Sequence, residues 1–335
     1  MKILFAGLGS IGQRHLQNVK KIKEEKIKEG KIELFGLIKD FDARRVIKEG
    51  ECKEVESMAD YYGITTTTSL AEAKEIKPNI VFVTNPSRLH VETALEFGKV
   101  GSDLFIEKPL GAGLDKVDEL ESVIRKNHLI SMVGYQMRFN PLIEKVKEIV
   151  GKNSDKIITA AFEWNTFLPL HHKYEDYSKS YAARKDLGGG AVLGLIHEID
   201  LICHFFGLPS DILAAGGKLS GLKMDVEDTV MAILKYEKTP VYLNLSYAQT
   251  KEVRKFKVQF QDSTLFVDLM ENKYQLYGRE GELVEEAEDP TQRNDLFIKE
   301  VSHFLDCVEK RRETGVGVPE GKKSLELALN IKKRI

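Results

Sequence analysis

Up to about residue 136 the chain alternates short, nearly all-apolar runs with longer segments in which charged residues recur at helical spacing. Lys2–Ala6, Ile32–Ile38, Ile80–Thr84, Leu104–Ile106 and Ile130–Gly134 read as strands. Arg14–Glu29, Asp42–Tyr62, His90–Lys99 and Leu114–Asn127 read as the amphipathic helices between them. Strands apolar on both faces, each followed by a helix, predict a parallel sheet covered on both sides. Beyond residue 136 the pattern changes. Ile157–Leu168 alternates, and Thr229–Tyr236, Val241–Ala248, Lys255–Gln261, Leu265–Leu269 and Tyr274–Tyr277 follow one another with no helix between them. Such a succession predicts an open mixed, mostly antiparallel sheet. Apolar residues from Leu296 to Val308 keep helical spacing, and Pro319–Lys333 predicts a last helix. The expectation is an α/β domain over residues 1–135 and an α+β domain over residues 136–335.

Composition narrows this picture. The chain has 335 residues, long enough for two domains. Its 50 Lys+Arg against 52 Asp+Glu exclude bulk electrostatic recognition of nucleic acid. Three scattered cysteines, Cys52, Cys203 and Cys307, make no disulfide framework and predict a reducing compartment. The apolar run Ile3–Ala6 breaks at Gly7 with no small-residue cleavage site after it, so no signal peptide is expected. Ala191–Leu208 carries His197, Glu198, Asp200 and His204, which argues against a membrane span. A cytoplasmic protein is expected.

The first strand runs into Gly7-Leu8-Gly9-Ser10-Ile11-Gly12, a Gly-x-Gly-x-x-Gly turn that opens a helix. In that context Gly7 permits the tight turn, Gly9 allows a pyrophosphate to approach the backbone, and Gly12 lets helix and strand pack closely. The first helical N–H groups, at Ser10 and Ile11, face the anion. The residue that ends the second strand reads the ribose: an acid there favours NAD, and basic residues accommodate the 2′-phosphate of NADP. Here Lys39, Asp40 and Arg44 stand together, and the balance leans to NADP.

Three further motifs extend the fingerprint: Val83-Thr84-Asn85-Pro86 with His90 soon after, Glu107-Lys108-Pro109, and Gly134-Tyr135-Gln136-Met137-Arg138-Phe139-Asn140-Pro141. In this order, over essentially the whole chain, they resemble the Gfo/Idh/MocA oxidoreductases, the family of glucose–fructose oxidoreductase and inositol dehydrogenase. The resemblance implies an NAD(P)-dependent dehydrogenase or reductase acting on a sugar, polyol or sugar nucleotide. It implies a homodimer or homotetramer, a cofactor site that includes Thr84, Asn85, Pro86, His90 and Glu107, and a Lys108–Pro109 bond that is cis. It places Lys108 beside the nicotinamide and the reacting carbon. It also makes His197, in the helix after Gly188-Gly189-Gly190, the acid/base residue. Many members carry an Asp three or four residues before that His, where this chain has Leu193 and Gly194. Asp200, one turn on, is the remaining carboxylate. The stretch Trp164–Tyr181 resembles a substrate loop.

The residue chemistry agrees. Hydride transfer from a secondary alcohol needs a group to take the hydroxyl proton or stabilise the alkoxide, work suited to Lys108 and His197. Arg138, Trp164, Tyr181 and Asp200 are candidates for lining a sugar site, aromatic faces covering ring C–H groups. No metal is expected: His197, Asp200 and His204 form no His-Glu-x-x-His pattern. Two other readings stay open, a non-catalytic cofactor-bound sensor and an NAD-assisted glycosidase.

Overall fold

The computed structural model describes residues 1–26, 32–39, 44–48, 51–171 and 174–335. The chain divides into two compact units. The first comprises Met1–Tyr135, His172–Glu175 and Phe297–Lys322, the second Gln136–His171, Asp176–Leu296 and Lys323–Ile335.

In the first unit the elements run β1 (Lys2–Ala6), α1 (Ser10–Lys26), β2 (Glu33–Leu37), β3 (Arg45–Lys48), β4 (Glu51–Glu54), α2 (Met58–Tyr62), β5 (Thr65–Thr67), α3 (Leu70–Glu75), β6 (Ile80–Val83), α4 (His90–Gly98), β7 (Asp103–Glu107), α5 (Val117–Lys126) and β8 (Ser131–Gly134). Six strands form one sheet in the order β5-β2-β1-β6-β7-β8, every neighbouring pair parallel. This is the doubly wound dinucleotide-binding order, whose direction reverses between β1 and β6. Ligands bind such sheets beyond the carboxyl ends of the strands at that switch point. The strands are apolar on both faces because both are covered: Ile3–Phe5, Ile80–Val83 and Leu104–Ile106 are fully buried. Phe5, Phe82 and Phe105 stack at 5.0 and 4.9 Å.

The apolar strands lie within a residue or so of their expected positions. Asp42–Tyr62 does not form the expected helix. Its described part is the β3–β4 hairpin followed by the short α2. Local spacing was overridden by a side chain far away in sequence. Gln13 of α1, itself buried, donates through Nε2 to the Arg45 carbonyl at 2.9 Å, and its Oε1 accepts from Ile47 N–H at 2.7 Å. It thereby satisfies the hairpin backbone as a neighbouring strand would.

In the second unit α6 (Pro141–Lys152) precedes β9 (Ile157–Phe167). Then come α7 (Ala191–Gly194), α8 (His197–Phe206), and strands β10 (Asp211–Gly217), β11 (Thr229–Lys235), β12 (Pro240–Ser246), β13 (Ala248–Phe260), β14 (Thr264–Asp268), β15 (Lys273–Tyr277) and β16 (Leu283–Glu288). Their sheet has the order β10-β11-β12-β9-β13-β14-β15-β16. All pairs are antiparallel except β12 with β9, so the sheet is mixed and mostly antiparallel. On its inner face Phe205 and Phe206 of α8 meet Phe162 of β9, which stacks on Phe256 of β13 at 4.7 Å. Of the expected helices near the end, α9 (Arg293–Lys310) belongs from Phe297 onward to the first unit, and α10 (Val318–Lys332) passes from the first unit to the second after Lys322. Among the described residues no single helix is long and apolar enough to cross a membrane. The segments Lys185–Gly194 and His197–Phe206 meet at 53°.

Candidate active site

In the first unit the glycine turn is built as its spacing requires. Gly7 has φ +105°, and a Cβ there would meet the Asn85 backbone at 2.7 Å. A Cβ on Gly12 would lie 2.1 Å from the Gly7 carbonyl oxygen, whereas one on Gly9 would meet nothing within 4 Å. Gly7 and Gly12 thus permit close packing, while Gly9 leaves open, exposed backbone beside the half-buried Ser10 and Ile11 at the start of α1. Thr84, at the end of β6, donates from Oγ1 to the Gly7 carbonyl at 2.6 Å and so ties the two strand ends of the switch point together. Asn85 donates to Thr93 Oγ1 at 2.8 Å. A turn left open at Gly9, at the amino end of a 17-residue helix with no acidic residue in its first turn, fits a pyrophosphate.

The Lys108 turn is anchored to this one. The Lys108–Pro109 bond is cis. Glu107 faces inward: one oxygen lies 2.6 Å from His15 Nε2 of α1, and the other accepts the Lys108 N–H at 3.0 Å. The His15 ring is fully buried among Phe82, Phe105 and Phe297. His90 is also buried, with Nδ1 2.7 Å from the Pro109 carbonyl and Nε2 2.7 Å from the Asn85 carbonyl. Burial lowers its pKa against the contrary pull of those carbonyls, and a neutral imidazole donates to only one of them at a time. His90 therefore bridges the turns after β6 and β7, and His15 and Glu107 hold Lys108 to α1. Spacing did not single out His15 or Gln13, because their partners lie 92 and 32 residues away. Lys39, two residues beyond β2, and Arg44, directly before β3, are both exposed. Asp40 lies outside the described residues.

In the second unit His197 opens α8, after the break that follows α7, and is buried. Its ring centroid is 6.2 Å from that of Trp164. Arg138 and Asp200 form a buried pair, donating and accepting at 2.9 and 2.6 Å, and Ser324 donates to the same carboxylate at 2.8 Å. Asp200 is thus occupied by a guanidinium and a hydroxyl. Tyr181 is partly exposed on a short turn. Gly194 lies three residues before His197, and a Cβ there would stand 1.7 Å from the Tyr247 hydroxyl. That phenol is fully buried, and burial pushes its pKa well above the usual value. The space a side chain at 194 would fill is held by a neutral phenol. Among the described residues no three His, Cys, Asp or Glu side chains converge as a metal site would need.

The first unit is thus a nucleotide-binding α/β sheet with an anchored lysine at its carboxyl edge. Residues 1–135 match the oxidoreductase family with an NAD-binding Rossmann fold, and residues 156–284 match the GFO/IDH/MocA C-terminal domain. The chain belongs to the GFO/IDH/MocA oxidoreductase family. It is 31% identical over 146 residues to YrbE, an uncharacterized oxidoreductase of Bacillus subtilis, a match spanning 43% of this chain and 38% of that protein. It is 23% identical over 279 residues to D-xylose 1-dehydrogenase (NADP(+)) 2 of Haloferax volcanii, spanning 81% of this chain and 82% of that one. The structure of levoglucosan dehydrogenase in complex with NADH and levoglucosan superposes with a TM-score of 0.81 at 14% identity, covering 100% of this chain and 96% of that one. At that identity the likeness is one of fold.

Proposed function

We propose that the protein is an NAD(P)-dependent oxidoreductase that moves a hydride to or from a secondary hydroxyl or ketone of a sugar, polyol or sugar nucleotide. The observation that carries this reading is the anchoring of the Lys108 turn, through His15, Glu107 and His90, to the same strand ends and helix that form the dinucleotide turn. When bound, the nicotinamide supplies or accepts the hydride. The Lys108 ammonium stabilises the developing alkoxide, and the His197 imidazole takes or returns the hydroxyl proton. In this reading residues 1–135 hold the cofactor, and residues 136–335 hold the substrate, with Trp164, Tyr181 and Arg138 lining its site.

NADP is the favoured cofactor. Lys39 and Arg44 offer positive charge near the end of the strand that reads the ribose, and the Haloferax relative is named for NADP(+). The protein assembles through the outer face of the second-unit sheet. There Leu213, Ile233 and Tyr242 are paired neighbours across three strands, and all three are exposed, with Met231 and Phe266 on the same face. A contiguous apolar sheet face of that kind marks a protein interface. Three free cysteines agree with a cytoplasmic setting. One observation favours a second reading, a cofactor-bound sensor: the Tyr247 hydroxyl leaves no room for a carboxylate at position 194.

The test is a screen of free sugars, inositols and sugar nucleotides with NAD+ and NADP+, following nicotinamide absorbance. Turnover that Lys108→Ala abolishes supports the enzyme. Cofactor binding without turnover across the panel supports the sensor.

A further inference from the structure

The second unit holds a charged cluster that the proposed chemistry does not use. Arg254 of β13 stands directly opposite Trp164 of β9. Its guanidinium carbon lies 3.9 Å over the indole ring, and its Nε donates to Glu198 Oε1 at 2.6 Å. Glu198 directly follows His197 in the first turn of α8, with a side chain 2% exposed against 12% for Arg254. On the far edge of the ring Trp164 Nε1 donates to Glu252 Oε1 at 2.9 Å. Glu252 sits within the register shift between Ala248 and Val253, where β13 leaves its regular pairing with β9.

Burying two charges is costly, and an apolar pair of equal volume holds a helix to a sheet at least as well. Phe205 and Phe206 already attach α8 to Phe162. Adhesion therefore does not explain the cluster, whereas orientation does. Glu198 fixes the first turn of α8, and the planar guanidinium fixes one indole face. Glu252 fixes the rotation of the ring about its axis. Together they set where the His197 imidazole stands relative to the Trp164 ring, 6.2 Å away and tilted by 33°.

We propose that Arg254 is a positioning residue that locks His197 and Trp164 into one rigid pair, with Trp164 as the apolar wall for a sugar ring whose hydroxyl His197 serves. The guanidinium occupies one indole face, so the sugar packs on the other. This inference rests on the reading of His197 as the acid/base residue and of Trp164 as part of the substrate site.

Trp164 is the single tryptophan of the chain, so its emission reports the cluster with no substrate present. In the full-length protein, Arg254→Met is expected to lower the fluorescence anisotropy of Trp164 and to increase its quenching by acrylamide, with NADPH affinity unchanged. On the best sugar of the screen above, kcat should fall about 100-fold, the cost of a small misplacement of a reacting group. Arg254→Lys, which keeps the charge without the stacking fork, should fall between. The double variant Arg254→Met with Glu198→Met replaces the pair by apolar side chains; it should recover the wild-type melting temperature and leave kcat low. Wild-type kcat in that double variant, or unchanged anisotropy and quenching in Arg254→Met, overturns the proposal. His197→Ala separates the two readings: undiminished turnover there removes the acid/base role, while the fluorescence still decides whether Arg254 holds the indole.

Discussion

Arg138→Met should destabilise the second unit more than any surface change, because it strands a buried carboxylate. Asp200 accepts two bonds from the Arg138 guanidinium and one from Ser324, and the two charged side chains are 8% and 1% exposed. Without the guanidinium, the charge keeps a single hydroxyl donor. Removing one partner of such a buried pair costs about 3–5 kcal/mol. For a unit of this size each kcal/mol moves the midpoint by about 2–4 °C, so the melt should fall by roughly 6–20 °C. Trp164 lies in the same unit, so a thermal melt followed by tryptophan emission reads the right part of the molecule. Replacing both residues, Arg138→Met with Asp200→Leu, should restore most of the loss. If Arg138→Met melts with the wild type, the pair does not hold the second unit together and the reasoning fails.

Gly12→Ala should abolish cofactor binding, because the new Cβ would sit 2.1 Å from the Gly7 carbonyl and force the turn apart; fluorescence titration with NADPH measures it. Glu300→Gln should stabilise the protein at pH 8 and leave it unchanged at pH 4. Burial, with the Glu107 charge next, raises the Glu300 carboxyl well above its ordinary value of 4.5. The folded state keeps that proton where the unfolded chain releases it, so stability is lost as pH rises above 4.5, a loss a glutamine escapes. Paired melts at the two pH values check the sign. Ile233→Lys, at the centre of the exposed apolar row of the second sheet, should shift sedimentation toward the monomer with cofactor affinity intact.

What could be read from the sequence was what neighbouring residues specify. The Gly7–Gly12 turn is local, and β1, β6 and β7 are continuous apolar runs, so their ends and the loops that follow them were legible. The β3–β4 hairpin was not, because it answers to Gln13, and neither was the His15–Glu107 contact, which spans 92 residues. β16 is an acidic edge strand with little buried surface, and so lacks the alternation that marked its neighbours. Arg138 and Asp200 are legible as candidates for a sugar site, where polar groups read hydroxyls, but their pairing is not. Only the tertiary structure pairs them with each other, and only the tertiary structure sets Tyr247 against Gly194 or Arg254 against Trp164.

The proposed function stands or falls on hydride transfer beside Lys108. Its most direct test is to supply the best sugar of the screen deuterated at the reacting carbon, with NADP+, and to look for deuterium at C4 of the recovered nicotinamide. Label is expected in the reduced cofactor with the wild type and none with Lys108→Met, which should still bind NADPH. Label transfer at the wild-type rate in Lys108→Met, or consumption of the sugar with no label reaching the cofactor, would contradict it.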